Sequence, residues 1–176
     1  MEKYLVYGTW VLAFATFLLV GVTYWMFKKQ ISLLREQTDD QRENLRLQNH
    51  LTFMARFDGP ELQSGWVRLA RQLLSVAPHD ELIETVMNFF EDMGLFNRQG
   101  FLDEGLLWHT FGFYAVKWWA ACRDYVLEER RNQNDPTLFT DFESLVNRFR
   151  KRDKRAKLTE PLKGEIEEFL KGETRL

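Results

Sequence analysis

Cysteine, proline and histidine are all scarce in this sequence. Among its 176 residues only Cys122 is a cysteine, which excludes an intramolecular disulfide, a Cys-x-x-Cys redox pair and a cysteine-rich zinc site. Four prolines and an aromatic content of 15% are typical of a folded chain rather than of a disordered one. The three histidines, His50, His79 and His109, lack the spacing that places two metal ligands on one helical face. A metal site would have to be assembled by the fold from separate helices.

The motifs of the common enzyme classes are also missing. The sequence contains no Gly-x-Ser-x-Gly elbow, no phosphate-binding P-loop and no Gly-x-Gly-x-x-Gly turn, so no cofactor is expected. Cys122 lies among aromatic residues, where a thiol usually acts as a small hydrophobe. A catalytic site built only by the fold would best be formed around His109, Asp103 and Glu104, although the apolar surroundings favour His109 as a hydrogen-bonded core residue. The sequence therefore favours a non-enzymatic role, with an enzyme as an alternative.

A long uncharged segment lies near the N-terminus. Residues 4–27 are 24 residues without a charge, enough for a helix of about 36 Å at 1.5 Å per residue, which exceeds the roughly 30 Å core of a bilayer. Aromatic residues suited to the membrane interface stand at both ends, and Lys28 and Lys29 follow. The segment ends without a small-x-small cleavage pattern, which argues against a removed signal peptide. We expect a retained transmembrane anchor with flanks over residues 1–29.

The basic residues predict the orientation of this anchor. Lys3 precedes it and is offset by Glu2, whereas Lys28, Lys29 and Arg35 follow it closely. Because basic residues favour the cytoplasmic side, the N-terminus is expected outside and the C-terminal domain in the cytoplasm, at the inner membrane. The lipid bilayer would then be the first partner of the chain.

Residues 30–57 read as a helical stalk, because they contain neither proline nor glycine until Gly59 and Pro60 break the helix. Seven positions of this stalk fall at heptad spacing, but four of them are polar, which makes a poor coiled-coil seam. A stalk dimer and a helix that is solvated or packed on the domain both remain open. The seven positions are Ile31, Leu34, Thr38, Gln41, Leu45, Gln48 and Thr52.

Residues 58–157 read as a helical domain, with a short C-terminal helix and tail over residues 158–176. Apolar residues recur at steps of three and four over 61–76, from Leu82 to Gly94, from Asp103 to about Asn132, and over 137–155, and no alternating strand pattern is sustained. The third of these helices is apolar nearly all round, as in the middle of a bundle. Its aromatic stripe around Trp118 and Trp119 is typical of a core, and an exposed patch that receives a partner helix is the alternative. The predicted fold is all-α, with an anchor, a stalk and a compact aromatic-rich bundle.

The charges are unevenly distributed along this domain. Residues 61–147 carry 14 acidic and 7 basic side chains, a net charge of −7, whereas residues 148–157 carry 7 basic and 1 acidic, a net charge of +6. Such a run can bind phosphates, either of anionic lipids or, less favourably for a tethered chain, of nucleic acid. Cations at the end of a helix are equally explained by its dipole. The candidate contacts are Arg148, Arg150, Lys151, Arg152, Lys154, Arg155 and Lys157.

Several phrases resemble a family of uncharacterised bacterial single-pass membrane proteins with a cytosolic helical domain of unknown function. These are MNFFEDMGL at residues 87–95, GFLDE at 100–104, FG at 111–112 followed by KWW at 117–119, and TDFESL at 140–145. The resemblance covers roughly residues 50–150 and implies an all-helical domain behind an N-terminal membrane helix. It implies no activity and no functional residue.

The sequence thus leaves three hypotheses. The first is a membrane-tethered, non-enzymatic interaction or scaffold module that binds another protein or itself. The second is an anionic-lipid or nucleic-acid binding module that uses residues 148–157. The third is an enzyme whose site exists only in the fold.

Overall fold

A computed structural model of the chain describes residues 2–75, 82–152 and 161–175, with the exception of the side chains of residues 2–15 and Leu82. All regular structure within these ranges is α-helical, which confirms the all-α prediction. The helices are α1 (Glu2–Phe57), α2 (Pro60–Ser75), α3 (Leu82–Arg98), α4 (Glu104–Asn132), α5 (Thr140–Arg152) and α6 (Lys163–Glu173).

The chain divides into two compact units, Met1–Asn44 and Leu45–Leu176. The first consists of the N-terminal part of α1, and its described side chains, at residues 16–44, are all exposed. The second contains the C-terminal part of α1 together with α2 to α6. Residues 45–57 of the predicted stalk therefore belong to the domain, where Phe53 and Phe57 contact α3 and α4.

Aromatic rings dominate the core of the second unit, as the sequence predicts. Trp66 and Trp118 lie 5.0 Å apart between ring centroids, and Phe57 and Tyr114 lie 4.9 Å apart. Such tilted and edge-on pairs contribute roughly 0.5–1.5 kcal/mol each beyond the burial of their area. Rings from α1 to α6 take part, so one continuous cluster holds the six helices together. The fully buried large side chains are Trp118, Phe89, Phe90, Phe111, Phe142, Phe149, Leu69, Ile83, Met87, Met93, Leu107 and Leu145.

Helix α3 continues four residues beyond Gly94, the position up to which its apolar pattern extends. Gly94 is buried, and a Cβ at this position would overlap the backbone carbonyl of Asp141. The absence of a side chain at Gly94 is therefore what admits α5. The chain turns at Gly100, which has a φ of +78°.

The remaining boundaries lie close to the predicted ones. Asp103 caps α4, since its carboxylate accepts a hydrogen bond from the backbone N–H of Leu106 at 2.8 Å. Helix α5 begins at Thr140 rather than at Thr137, because Phe139 adopts a φ of +56° that no helix continues through. Val76 and residues 153–160, which the sequence analysis placed in helices or in the basic run, lie outside the described residues.

Candidate interaction surfaces

Helix α1 carries a row of exposed apolar side chains that ends at two lysines. Large apolar residues from Phe17 to Phe27 are more than half exposed, and Tyr24 and Trp25 close the row. The ammonium of Lys28 lies 5.7 Å from the ring centroid of Tyr24, and that of Lys29 lies 5.6 Å from the ring of Trp25. Both distances suit a cation–π contact. The helix thus changes from apolar to charged within one turn, at the predicted flank of the anchor.

None of the helices, over the residues that the structure describes, is both long and apolar enough to cross a bilayer. The side chains of residues 4–15, half of the predicted anchor, lie outside the described residues.

Arg148, the first member of the basic run, is partly buried and bonded to three side chains of the domain. Its guanidinium donates to the carboxylate of Glu104 at 3.1 Å, to the hydroxyl of Ser144 at 2.7 Å and to the side-chain oxygen of Asn97 at 2.7 Å. These contacts tie α5 to α3 and α4. Arg148 therefore stabilises the fold through three charge-assisted hydrogen bonds.

The following basic residues are placed differently. Lys151 and Arg152 are exposed at the end of α5. Arg152 lies 4.0 Å from Glu104 and 6.0 Å from the ring of Trp108, whereas Arg150 is partly buried. Lys154, Arg155 and Lys157 lie outside the described residues. Within the described part of the run, only Lys151 and Arg152 offer a cation to an external phosphate.

A second polar cluster joins α3 to the start of α5. The carboxylate of Glu91 accepts hydrogen bonds from the backbone N–H groups of Phe142 at 2.7 Å and Asp141 at 3.2 Å, so α3 caps α5. Arg98 reaches the carboxylate of Asp141 at 2.7 Å. Burial raises the pKa of Glu91, and the two N–H donors partly oppose this shift. The cluster leaves the Glu91 oxygens engaged with the backbone.

The phrases that carry the family resemblance fall largely on this cluster and on the contacts of Arg148. The phrase at residues 87–95 supplies Glu91 and Gly94, and the phrase at 140–145 supplies Asp141, Phe142 and Ser144. These residues hold α3, α4 and α5 against one another. The phrases therefore consist of residues that stabilise the fold.

The candidate catalytic residues are not brought together as a site. Asp103 caps α4, and Glu104 is engaged with Arg148. His109 is exposed on α4, so its expected place in the core is wrong. The reason is that α4 is not buried all round, because its surface at residues 105–113 faces solvent at several positions. Burial raises the pKa of the Cys122 thiol to about 12, as expected for a core hydrophobe rather than a nucleophile.

Sequence reasoning missed His50, the buried histidine of the domain. Its Nε2 lies 3.2 Å from the hydroxyl oxygen of Thr110, and its ring lies 5.7 Å from that of Phe111. Burial lowers its pKa, and the nearby Asp103 carboxylate partly opposes this. The sequence signal was its position three and seven residues before Phe53 and Phe57, which shows that it shares their buried face. No group of acidic, histidine or cysteine side chains among the described residues is arranged to hold a metal ion.

Exposed apolar side chains flank the contact between α1 and α4. On α1, Leu51 (55% exposed) and Met54 follow His50; on α4, Leu106 and Phe113 (53% exposed) lie one turn on either side of Thr110. His50 and Thr110 touch, and each of these four residues lies within about one turn of one of them along its helix. We call Leu51, Met54, Leu106 and Phe113 the junction patch.

Comparison with known proteins identifies the chain by family alone. No curated protein and no solved structure matches it. A family model described as a domain of unknown function, DUF4760, matches residues 10–149. The match ends within the basic run and excludes α6, and it includes residues 10–57 of α1 and the helices α2 to α4 in full. The chain therefore belongs to the DUF4760 family.

Proposed function

We propose that this chain is a membrane-tethered, non-enzymatic interaction module, whose helical domain binds another protein at the cytoplasmic face of the inner membrane. The observation that carries the proposal is the exposed apolar row of α1 that ends at Lys28 and Lys29. In water, a helix with such a row would leave its apolar side chains exposed, although most helical stability in proteins comes from burying an apolar face. A bilayer would bury these side chains.

The end of this row has the chemistry of a membrane interface. Tyr24 and Trp25 combine an apolar ring with a polar edge, and the lysines beyond them can extend toward lipid headgroups. Two lysines after the apolar segment also favour a cytoplasmic location for the C-terminal part of the chain. The second unit, Leu45–Leu176, is then the cytoplasmic domain.

The junction patch is the surface that we assign to the partner. Leu51 and Phe113 expose more than half of their surface, whereas Phe111 of the same helix as Phe113 is buried. Grouped exposed apolar side chains are typical of protein interaction sites, and an apolar face of a partner helix is the chemistry that fits them. Asp103 is engaged in a helix cap, Glu104 in an ion pair and Cys122 in the core, which supports a binding role over catalysis by these three groups.

Crosslinking in intact cells tests this proposal. The tagged full-length chain is crosslinked and extracted with detergent, and proteins that co-purify are identified by mass spectrometry. Leu106→Ser and Phe113→Ser should each lose a defined partner. Leu127→Ser is the matched control, because Leu127 is an exposed leucine on the same helix outside the patch. Recovery of the same proteins with all variants, or of lipids alone, would overturn the proposal.

The tether has a separate test. A reporter that is active only in the cytoplasm, fused after residue 176, should be active, and the protein should sediment with membranes after carbonate washing. Replacing Phe17, Leu18, Leu19 and Val20 by serine should release it. Activity of an exclusively extracytoplasmic reporter at the same position would exclude this orientation.

A second candidate function, binding of anionic lipid, is favoured by the exposed Lys151 and Arg152. Each basic residue near an anionic membrane surface contributes about 1 kcal/mol of attraction. In the chain that carries serine at Phe17, Leu18, Leu19 and Val20, Lys151→Glu and Arg152→Glu should weaken sedimentation with phosphatidylglycerol vesicles, whereas Lys171→Glu, an exposed control on α6, should not. Nucleic acid is the less favoured phosphate source, and retention on a DNA or RNA filter would identify it. Binding that is insensitive to salt and to the charge reversals would remove this candidate.

A further inference from the structure

One side of α1 presents a continuous seam at alternating steps of three and four residues. Six large apolar side chains form it, and they are 37% to 80% exposed. We call these the α1 seam: Phe17, Val20, Tyr24, Phe27, Ile31 and Leu34. Thr38, Gln41 and Leu45 continue the same spacing. Written as a heptad, Ile31 occupies position a and Leu34 position d, which is the combination that favours two parallel strands.

The surface of the seam has concavities of the form that a coiled coil requires. One is lined by Leu19, Val20, Thr23, Tyr24 and Phe27, and the next by Ile31, Leu34, Arg35, Thr38, Asp39 and Arg42. Each contains four residues spaced i, i+3, i+4 and i+7. In a coiled coil, every side chain of the seam inserts into a hole made by four such residues of the facing helix. The first concavity is a hole for a position-a side chain, and the second for a position-d side chain.

The charges beside the seam select a parallel partner. Lys28, Arg35 and Arg42 line one side, and the neutral Gln30, Gln37 and Asn44 line the other. In a parallel pair of identical helices the two sides face each other, so that Arg35 meets Gln30 and Arg42 meets Gln37 of the second copy. An antiparallel pair would bring the basic sides together, and like charges repel.

The polar positions of the seam are compatible with burial. The hydroxyl of Thr38 already donates to the carbonyl of Leu34 at 2.7 Å, so packing Thr38 against another helix leaves no donor unsatisfied. Gln41 has both a donor and an acceptor, and it can pair with its own copy across a twofold axis. These two successive polar layers lower the stability of the pair, so that the apolar positions from Phe17 to Leu34 contribute most of it.

We infer that α1 pairs in parallel and in register with α1 of a second copy of this chain, through the α1 seam. The second copy fits both the holes and the flanking charges. Within the second unit, Leu45, Gln48 and Thr52 are exposed, whereas His50 and Phe53 are buried. The inference does not depend on the membrane tether or on the junction patch.

Disulfide trapping of single-cysteine variants tests the pairing. Phe27→Cys, Leu34→Cys and Gln41→Cys are each introduced into the full-length chain, in native membranes or in detergent, and oxidised with copper phenanthroline. Native Cys122 does not interfere, since it is fully buried. A parallel pair in register brings each seam position next to itself, so all three variants should form disulfide-linked dimers.

Leu33→Cys is the matched control, because Leu33 is the neighbouring leucine, is exposed, and lies off the seam. It should remain monomeric on the gel. Equal trapping of Leu33→Cys and Leu34→Cys, trapping at one seam position only, or no trapping at all would each overturn the inference. The second outcome would indicate an antiparallel crossing.

A mass measurement checks the same point without oxidation. In sedimentation equilibrium in detergent, Leu34→Asp should convert the dimer to a monomer, and Leu33→Asp should leave it intact. Loss of a partner in the Phe113→Ser variant with retained trapping at Leu34→Cys would separate this self-pairing from the proposed binding function. A monomer for the native chain in both membranes and detergent would refute the pairing whatever the partner experiment gives.

Discussion

Gly94 of α3 lies directly against the backbone carbonyl of Asp141 at the start of α5. A Cβ on Gly94 would overlap that carbonyl. The Nε of Arg98 lies 2.7 Å from a carboxylate oxygen of the same aspartate. Glu91, one turn earlier, accepts the backbone N–H groups of Asp141 and Phe142. One missing side chain and two polar contacts therefore set the distance between α3 and α5.

We predict that Gly94→Ala lowers the free energy of unfolding by about 1–3 kcal/mol, because the added methyl group overpacks a backbone that cannot move aside. For a chain of this size that corresponds to a fall in Tm of roughly 2–4 °C per kcal/mol. Near-UV circular dichroism of the detergent-purified full-length chain measures it. Gly164→Ala is the control, since a Cβ there meets nothing within 4 Å. Equal Tm values for both variants would contradict the close contact.

Two members of the basic run should behave differently when truncated. Arg148→Ala removes hydrogen bonds to the partly buried Glu104, Ser144 and Asn97, so we expect the free energy of unfolding to fall by about 1–3 kcal/mol. Lys151→Ala alters an exposed side chain and should change stability by no more than about 0.5 kcal/mol. Thermal unfolding of both variants makes the comparison. If Arg148→Ala left the free energy of unfolding unchanged, Arg148 would be available for external ligands.

The buried His50 should make stability fall in mild acid. Its pKa is lowered in the fold, so the unfolded chain binds a proton at a higher pH than the native chain does. Stability contributed by neutral His50 is therefore complete above the ordinary histidine pKa of about 6.5 and is lost as pH falls from there toward the folded value. Urea midpoints at pH 7.5 and pH 5.5 measure this loss.

His50→Gln should reduce the difference between the two midpoints, although it lowers stability at both pH values. The comparison with the native chain is needed because burial raises the pKa of Glu91 and Glu173, and these groups change stability in the opposite direction with pH. His109→Gln, at an exposed histidine on α4, serves as the control and should leave the difference unchanged. An unchanged difference in His50→Gln would exclude His50 as its source.

Cys122 should report global opening of the domain. The thiol is fully buried and its pKa is raised to about 12, so the reactive thiolate is absent in the native state near pH 8. We expect its reaction with Ellman's reagent to be slower than that of the unfolded chain by orders of magnitude and to follow unfolding. Ser75→Cys, at an exposed position, should add one thiol that reacts at once. Fast reaction of the native chain would show that the core opens locally around α4.

The α-helical elements of the domain could be predicted because their signals are local. The spacing of Leu62, Trp66 and Leu69 on α2, and the carboxylate of Asp103 before α4, depend on residues within one or two turns. The role of Gly94 could not be predicted, since sequence alone does not distinguish a glycine that ends a helix from one that admits a neighbour. Its meaning depends on Asp141, 47 residues away in the chain.

The sequence by itself determined that this chain is all-helical, built around aromatic residues, and without a disulfide or a common catalytic motif, because periodicity and composition decide these properties. Only the tertiary structure decided what the polar residues do. It placed Arg148 in the interior contacts of α3, α4 and α5, buried His50 against Thr110, and left His109 exposed. Whether a charged side chain is paired depends on the residues that helices distant in the sequence place beside it. The sequence pattern does not contain the distances between those helices.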